Sequence, residues 1–238
     1  MRVFIDIETI PDQSEGAIDR IAEEIEVKVP SDLTKPKLMD ALGTDDKYKT
    51  VAELKEMWLE KFGKEQKLEQ AKEKWLKTSF DGLYGQVICI GAEVEHSGEK
   101  FCQCTGCEED LLDSFWDWIA ENSNSPELEF IAHNKKFDLP FIFHRSVINN
   151  CKPPLHFDPY HRKHECTMEL WAGFGGRIGL DRLAGALGLE GKEEGMSGAD
   201  VWPEYQKGLK SLPKIAKYCA QDVEVLKAVY NRIKFINQ

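Results

Sequence analysis

The first chemically distinctive stretch of the sequence is Phe4-Ile5-Asp6-Ile7-Glu8-Thr9. Asp6 and Glu8 lie two residues apart in an apolar run of strand composition, and the period of a strand directs both carboxylates to one face. Two buried acids are costly unless a cation compensates them, and their hard oxygen atoms favour magnesium or manganese over zinc. We therefore expect a divalent metal at this strand. The alternative is an edge strand whose acids face water.

A third acid, Asp138, follows the apolar stretch 128–132 and the polar segment His133-Asn134-Lys135-Lys136. We expect Asp138 where a strand gives way to a helix, because Phe137 and Phe141 can hold that helix against the sheet. Strand ends of α/β sheets are where functional sites collect. The alternative for Asp138 alone is a carboxylate that stabilises the start of a helix.

The last predicted helix spans residues 211–233 and has an apolar stripe at helical spacing. Tyr218 and Asp222 are four residues apart and share one face beside that stripe. A phenol and a carboxylate separated by one turn can act together. The alternative is a boundary tyrosine above a solvent-exposed acid.

The elements that must position these residues alternate between strands and helices. Strands are predicted at 86–95 and 128–132, and residues 100–104 form a hairpin partner for the first of them. A helix is predicted at about 108–121, and Pro126 ends the connection after it. This order predicts an α/β protein with a mixed sheet.

Residues 11–82 have a different composition, dominated by charged helical patterns. Ser14 is predicted to cap a short helix to Ile25, and residues 27–50 are predicted to form a connecting loop because of their prolines and turns. A helix with a capping box at Thr50 runs to Gly63, and a second helix follows at 64–77. We expect a helical insertion at about 27–82 in a single domain, 1–238. Its balanced charges favour a solvated face over an arm that contacts DNA or a partner.

The composition is typical of a globular protein, with 42% hydrophobic and 31% charged residues among 238. No apolar run is long enough to span a membrane. The formal net charge of −11 argues against broad adhesion to nucleic acid or to anionic membranes, although a local basic groove is compatible with it. The start of the sequence has no signal peptide, and the seven cysteines are scattered, so we expect a cytoplasmic protein with reduced thiols.

Two clusters of cysteine and histidine suggest a structural zinc ion as a further hypothesis. They are Cys102, Cys104 and Cys107, and His161, His164 and Cys166. Together the two clusters could supply the four ligands of such a site. Free thiols and surface imidazoles are the favoured interpretation.

Three motifs in order resemble those of a known superfamily: Asp6-x-Glu8, Asn134-x-x-Phe137-Asp138 and Tyr218-x-x-x-Asp222. They resemble the exonuclease motifs of the DEDD superfamily in its tyrosine subtype. Residues 180–189, Gly191-Lys192 and Asp200-Val201-Trp202 are similar to the stand-alone 3′-to-5′ exonucleases related to the proofreading domain of family-B DNA polymerases. The resemblance covers residues 1–12 and about 84–235. It departs at the insertion and at 164–169, where no aspartate provides a further acid.

The resemblance implies an RNase H-like fold with a five-stranded mixed sheet flanked by helices. The residues that it implies in catalysis are Asp6, Glu8, Asp138, Tyr218 and Asp222. The four carboxylates are the implied ligands of two divalent cations, Mg²⁺ or Mn²⁺, with Asp6 bridging both ions. Tyr218 would position the attacking water. The implied substrate contacts are Thr9 and Ile10 at the terminal nucleotide, and Asn134 and Phe137 near the scissile phosphate.

The implied activity is a metal-dependent 3′-to-5′ exodeoxyribonuclease that releases nucleoside 5′-monophosphates from single-stranded or frayed DNA ends. Lys135, Lys136 and Arg145 are the nearest basic residues for the phosphate backbone, or else ordinary solvated side chains. The alternatives are an exoribonuclease or oligoribonuclease, and a non-catalytic nucleic-acid-binding accessory module. The sequence has no polymerase domain. If the protein assists a polymerase, or a repair or replication protein, we therefore expect it to act in trans.

Overall fold

The computed structural model describes residues 1–122, 127–155, 157–191 and 195–236. Pro126 and Lys192, which the sequence analysis named, lie outside these ranges. The chain divides into two compact units, one of Met1–Pro11 with Ser79–Gln238 and the other of Asp12–Thr78. The strands of the described residues are β1 (Arg2–Ile10), β2 (Gln86–Val94), β3 (Lys100–Cys104), β4 (Glu129–Ala132) and β5 (Glu165–Cys166).

Helices account for most of the remaining described residues. They are α1 (Ala17–Glu23), α2 (Lys35–Leu42), α3 (Val51–Lys77), α4 (Glu108–Asn122), α5 (Lys135–Ile148), α6 (Thr167–Ala172), α7 (Leu180–Ala186), α8 (Val201–Tyr205) and α9 (Leu212–Ile233). Short 3₁₀ turns lie at Thr78–Phe80, Gly198–Asp200 and Leu209–Ser211. In the part of the chain that the structure describes, none of these helices is long and apolar enough to cross a membrane.

All five strands form one sheet in the order β3-β2-β1-β4-β5. β1 is antiparallel to β2 and parallel to β4, so the expected mixed five-stranded sheet is confirmed. β1 occupies the centre, which makes the edge-strand alternative for its acids wrong. Opposite these acids on β2, Asp6 pairs with Gly91 and Glu8 with Cys89.

The two faces of β1 bury different layers of the protein. Val3, Ile5 and Ile7 pack in one core cluster with residues of α4 and α5, whereas Phe4 packs with residues of α7 and α9. Because alternate residues of a strand point the same way, Asp6 and Glu8 share the face of Phe4. The sheet is thus flanked by helices on both faces, and its central acids are directed toward α9.

The compact unit Asp12–Thr78 differs from the expectations in three ways. Val51–Lys77 form the single helix α3, because glycine inside a helix costs only about 1 kcal/mol and Gly63 does not end it. The capping box at Thr50 is confirmed. Ser14 does not cap α1, which begins after Gly16; the Ser14 hydroxyl instead donates to Asp12.

The predicted loop at 27–50 contains the helix α2, so that prediction is wrong. Pro36 is compatible with this helix because it lies in the first turn of α2, where the missing N–H of proline carries no cost. Leu38 of α2 is fully buried against Leu54 and Trp58 of α3. These three side chains form the small hydrophobic core of the unit.

Candidate active site

β1 carries the two acids that begin the site. Glu8 is 7% exposed and Asp6 is half-buried. The register of β1 with β2 shifts between Glu8 and Thr9, an irregularity typical of strands that end beside a functional site. The thiol of Cys219 on α9 lies against Asp6, with its Sγ 3.5 Å from the carbonyl oxygen and 3.8 Å from Oδ2. α9 therefore packs directly over these acids.

α9 adds Tyr218 and Asp222, and both side chains are buried. Burial, followed by the charges of Asp222, Glu8 and Asp6, raises the pKa of the Tyr218 phenol. The phenol therefore stays neutral and donates its hydrogen bond to the Asp222 carboxylate. The alternative of a solvent-exposed acid below a boundary tyrosine is wrong, because Asp222 is only 5% exposed.

Asp138 joins this cluster from the first turn of α5. Its carboxyl group is 5% exposed, and burial is the main reason why its pKa rises to about 7. The backbone N–H groups of Asp138, Asn134 and Ile7 act in the opposite direction, while the charge of Asp222 adds to the rise. Ile7 lies between the two acids of β1. Asp138 is thus more than a helix-start carboxylate, because it is electrostatically linked to both β1 and α9.

The acidic cluster has the donor chemistry of a site for hard divalent cations. Carboxylate oxygens of Asp6 and Glu8 and the Sγ of Cys219 all lie within 4.8 Å of one another. A hydrogen bond with Cys89 acts to lower the pKa of the Cys219 thiol, but burial and the charge of Asp6 outweigh it and hold the pKa well above its ordinary value. A protonated thiol is a poor ligand. The carboxylate oxygens remain the donors, and they fit Mg²⁺ or Mn²⁺.

Cys219 is the residue of this cluster that sequence reasoning missed. Its position agreed with the apolar stripe of α9, and a buried cysteine usually behaves as a small hydrophobic residue. The available signal was its spacing of three residues from Asp222, which places the two side chains on neighbouring positions of one helix face.

The four predicted substrate contacts fall into two groups. The Thr9 hydroxyl donates to the carbonyl of Ser79 at 2.6 Å, and the side chain of Ile10 is fully buried, so that only the backbone of Ile10 could face a nucleotide. Asn134 and Phe137 both line a cavity of about 530 Å³. Phe137 directly precedes Asp138 in α5, so one helix carries residues of both the cavity and the acidic cluster.

The basic residues near the site have three different environments. Arg145 is buried and makes a bidentate ion pair with Glu108, so the prediction that it serves the phosphate backbone is wrong. The Lys135 ammonium group donates to the backbone carbonyl of His164. Lys136 is exposed, and of these three residues it is the one that lines the cavity.

The structure gives no support to a zinc ion at the cysteine and histidine clusters. Among the described residues, the only grouping of three or more potential ligands is the one at Asp6, Glu8 and Cys219. His164 was expected at the surface but is 2% exposed: its Nδ1 accepts from the N–H of Phe130 at 3.0 Å, and its Nε2 lies 2.9 Å from the carbonyl of Asp158. Burial lowers the pKa of this imidazole, which is a structural hydrogen-bonding group.

The mixed five-stranded sheet with helices on both faces, together with acids on its central strand, defines an RNase H-like exonuclease fold. Residues 86–238 match the family described as predicted 3′-5′ exonuclease related to the exonuclease domain of PolB. The match spans more than half of the chain, and the chain belongs to this family. The matched region includes Asp138, Tyr218 and Asp222 and begins after β1. No curated protein sequence matches the chain.

Membership in this family confirms the resemblance noted from the three motifs and makes the chain a nuclease of the hydrolase class. The acids of β1 precede the matched residues, and the fold brings them beneath α9. The family match does not include Asp6 and Glu8, so their position beneath α9 is an independent observation that agrees with it.

Proposed function

We propose that this chain is a metal-dependent 3′-to-5′ exodeoxyribonuclease that removes nucleoside 5′-monophosphates from single-stranded or frayed DNA ends. The observation that carries the proposal is the convergence of buried or half-buried carboxylates from three elements: Asp6 and Glu8 from β1, Asp138 from α5, and Asp222 from α9. Relationship of the family to the exonuclease domain of PolB supports DNA over RNA.

The four carboxylates would hold two divalent cations, Mg²⁺ or Mn²⁺, in this proposal. When bound, such ions stabilise charge on the scissile phosphate and lower the pKa of a bound water. Asp138, whose pKa is about 7, would release a proton when it becomes a ligand. Cation binding should therefore weaken as the pH falls below 7.

Tyr218 would orient the attacking water in this mechanism. Its proton is committed to Asp222, so the phenol oxygen keeps lone pairs that can accept a hydrogen bond from a water. In this proposal Tyr218 does not act as the general base, because its raised pKa keeps the phenol neutral. Its proposed role is positioning.

We also propose that the whole chain works as one exonuclease domain with a helical insertion. The five candidate catalytic residues all belong to the unit Met1–Pro11 with Ser79–Gln238. The unit Asp12–Thr78 supplies none of them. Its boundaries differ from the insertion of about 27–82 expected from sequence, because it also includes α1.

The proposal is tested with a 5′-labelled single-stranded DNA, resolved on a gel with Mn²⁺, with Mg²⁺ and with EDTA. We expect a ladder that shortens from the 3′ end, requires metal and is abolished by Asp6→Ala, which should reduce the rate at least about 1000-fold. Glu224→Gln is a matched control, since Glu224 is exposed on α9 two residues after Asp222.

Three outcomes would contradict the proposal in different ways. A metal-dependent ladder on a matched ribo-oligonucleotide, with none on DNA, would favour the exoribonuclease alternative. Binding of single strands without shortening of either substrate would favour the non-catalytic module. Full activity of Asp6→Ala would remove the acidic cluster from the mechanism.

A further inference from the structure

The cavity lined by Asn134 and Phe137 has the size and lining of a ligand site. Its volume of about 530 Å³ lies within the range of about 300 to 1,000 Å³ typical of such sites. Its lining residues are Phe80, Asn134, Lys136, Phe137, Cys166, Met168, Glu169, Gly175, Gly176 and Arg177. Of these residues, Asn134 and Phe137 are the two that occupy defined positions of the three sequence motifs.

Two phenylalanine rings form one wall of this cavity. The ring of Phe80 is 72% exposed, and its centroid lies 6.2 Å from that of Phe137. Ser79, the neighbour of Phe80, accepts a 2.6 Å hydrogen bond from the hydroxyl of Thr9, which follows Glu8 in β1. The exposed ring is therefore tied to the strand that carries the acids. Such rings stack on unpaired bases without reading sequence, a contact that changes affinity roughly 5- to 150-fold per base.

Charged side chains also line this cavity. Lys136 forms an ion pair with Glu169 at 2.5 Å, and its ammonium nitrogen lies 4.0 Å from the centre of the Phe174 ring. Arg177 is exposed at the cavity. Two cations at one cavity stand out in a chain whose net charge is −11. An incoming phosphate would compete with Glu169 for Lys136.

A glycine-rich turn precedes Arg177 at the cavity. Gly173 and Gly175 have φ angles of 77° and 79°, a conformation that side-chain-bearing residues rarely adopt. A Cβ atom on Gly176 would lie 2.3 Å from the carbonyl oxygen of Ala172, so only glycine fits there. The turn therefore depends on its glycines, and Arg177 follows it directly.

We infer that this cavity is a subsite for the single-stranded DNA on the 5′ side of the scissile phosphate, with Phe80 and Phe137 stacking on bases and Lys136 and Arg177 contacting phosphates. The inference rests on the proposed function for its choice of ligand. Glu169 weakens DNA binding in this subsite, because its carboxylate forms an ion pair with Lys136 and repels the phosphates of the DNA. The inference thus assigns Phe80, Glu169 and Arg177 to substrate binding.

The test measures binding without cleavage, by fluorescence anisotropy of a labelled five-nucleotide thymidine oligomer in EDTA. We expect Phe80→Ala to weaken binding about 5- to 100-fold and Arg177→Ala to weaken it several-fold. Loss of one phosphate contact should also reduce the slope of log affinity against log salt by roughly 0.7. Glu169→Gln should bind several-fold more tightly than the wild type. Arg182→Ala is the matched control, since Arg182 is exposed on α7 and does not line the cavity.

The gain expected for Glu169→Gln keeps the inference falsifiable, because a misfolded variant would not bind more tightly. Wild-type affinity in Phe80→Ala and Arg177→Ala, or weaker binding by Glu169→Gln, would overturn the subsite. An equal loss of affinity in Arg182→Ala would also overturn it. These results are separable from the proposed function, which is decided by cleavage with metal: a chain that binds as expected but cleaves nothing would keep the subsite and lose the exonuclease.

Discussion

Replacement of Asp138 by asparagine should stabilise the metal-free protein. The gain in the free energy of unfolding should increase as the pH rises toward 8. The folded environment raises the pKa of this carboxyl group from 3.8 to about 7, mainly through burial. A carboxyl group with a higher pKa in the folded than in the unfolded state favours folding while protonated. Its contribution is fully present below about pH 4 and is lost as the pH rises toward 7.

The size of this effect follows from the two pKa values. The difference between 3.8 and about 7 corresponds to a cost of about 4 kcal/mol at pH 8 and of about 1.5 kcal/mol at pH 5. Asparagine has nearly the same size and can accept the hydrogen bond from the N–H of Ile7, but it carries no charge. The free energy of unfolding of Asp138→Asn should therefore exceed that of the wild type by a few kcal/mol at pH 8, and by much less at pH 5.

Urea unfolding in EDTA at pH 5, 6, 7 and 8 measures the difference. Asp117→Asn is the matched control, because Asp117 is exposed on α4 and its replacement should leave the free energy of unfolding nearly unchanged at every pH. A difference between Asp138→Asn and the wild type that is the same at pH 5 and pH 8 would refute the reasoning. With Mn²⁺ at about 100 times its Kd, the wild type should gain about 2.7 kcal/mol and the variant less.

Three further substitutions test separate parts of the structure. Tyr218→Phe should lower kcat roughly 10- to 100-fold in the cleavage assay, with unchanged oligonucleotide affinity in EDTA, because it removes only the water-positioning oxygen. Arg145→Met should cost about 3 to 5 kcal/mol in urea unfolding, because it leaves the buried carboxylate of Glu108 without its cationic partner. Gly91→Ala should lower kcat, because its Cβ would lie 3.0 Å from the Sγ of Cys219 and displace α9; wild-type kcat would contradict this.

The sequence was sufficient to predict those features that depend on local pattern. Alternation along β1 put Asp6 and Glu8 on one face, and the capping box at Thr50 located the start of α3. The periodicity of α9 placed Tyr218 and Asp222 together. In each case the signal lies within a few residues of the feature, so tertiary structure did not need to be known.

The features that the sequence could not supply depend on partners far along the chain. Arg145 looked available for a phosphate, but its acid partner Glu108 lies 37 residues away, on another helix. His164 was predicted to be a surface imidazole, but it is buried and accepts a hydrogen bond from the N–H of Phe130 on β4, 34 residues earlier. The cavity wall at Arg177 depends on a turn that no motif marks. Pairings of this kind become visible only when the helices and strands are packed.

The location of α9 over β1 has a consequence for how the protein is made. Cys219 contacts Asp6, a residue 213 positions earlier, and the ribosome adds roughly 5 to 20 residues per second. The site therefore stays incomplete for roughly 10 to 40 s after β1 emerges. In the proposed mechanism, a nascent chain that stalls before α9 lacks Tyr218 and Asp222, so an unfinished copy would not degrade the nucleic acid around the ribosome that is making it. That mechanism predicts that cleavage begins only after α9 has been made.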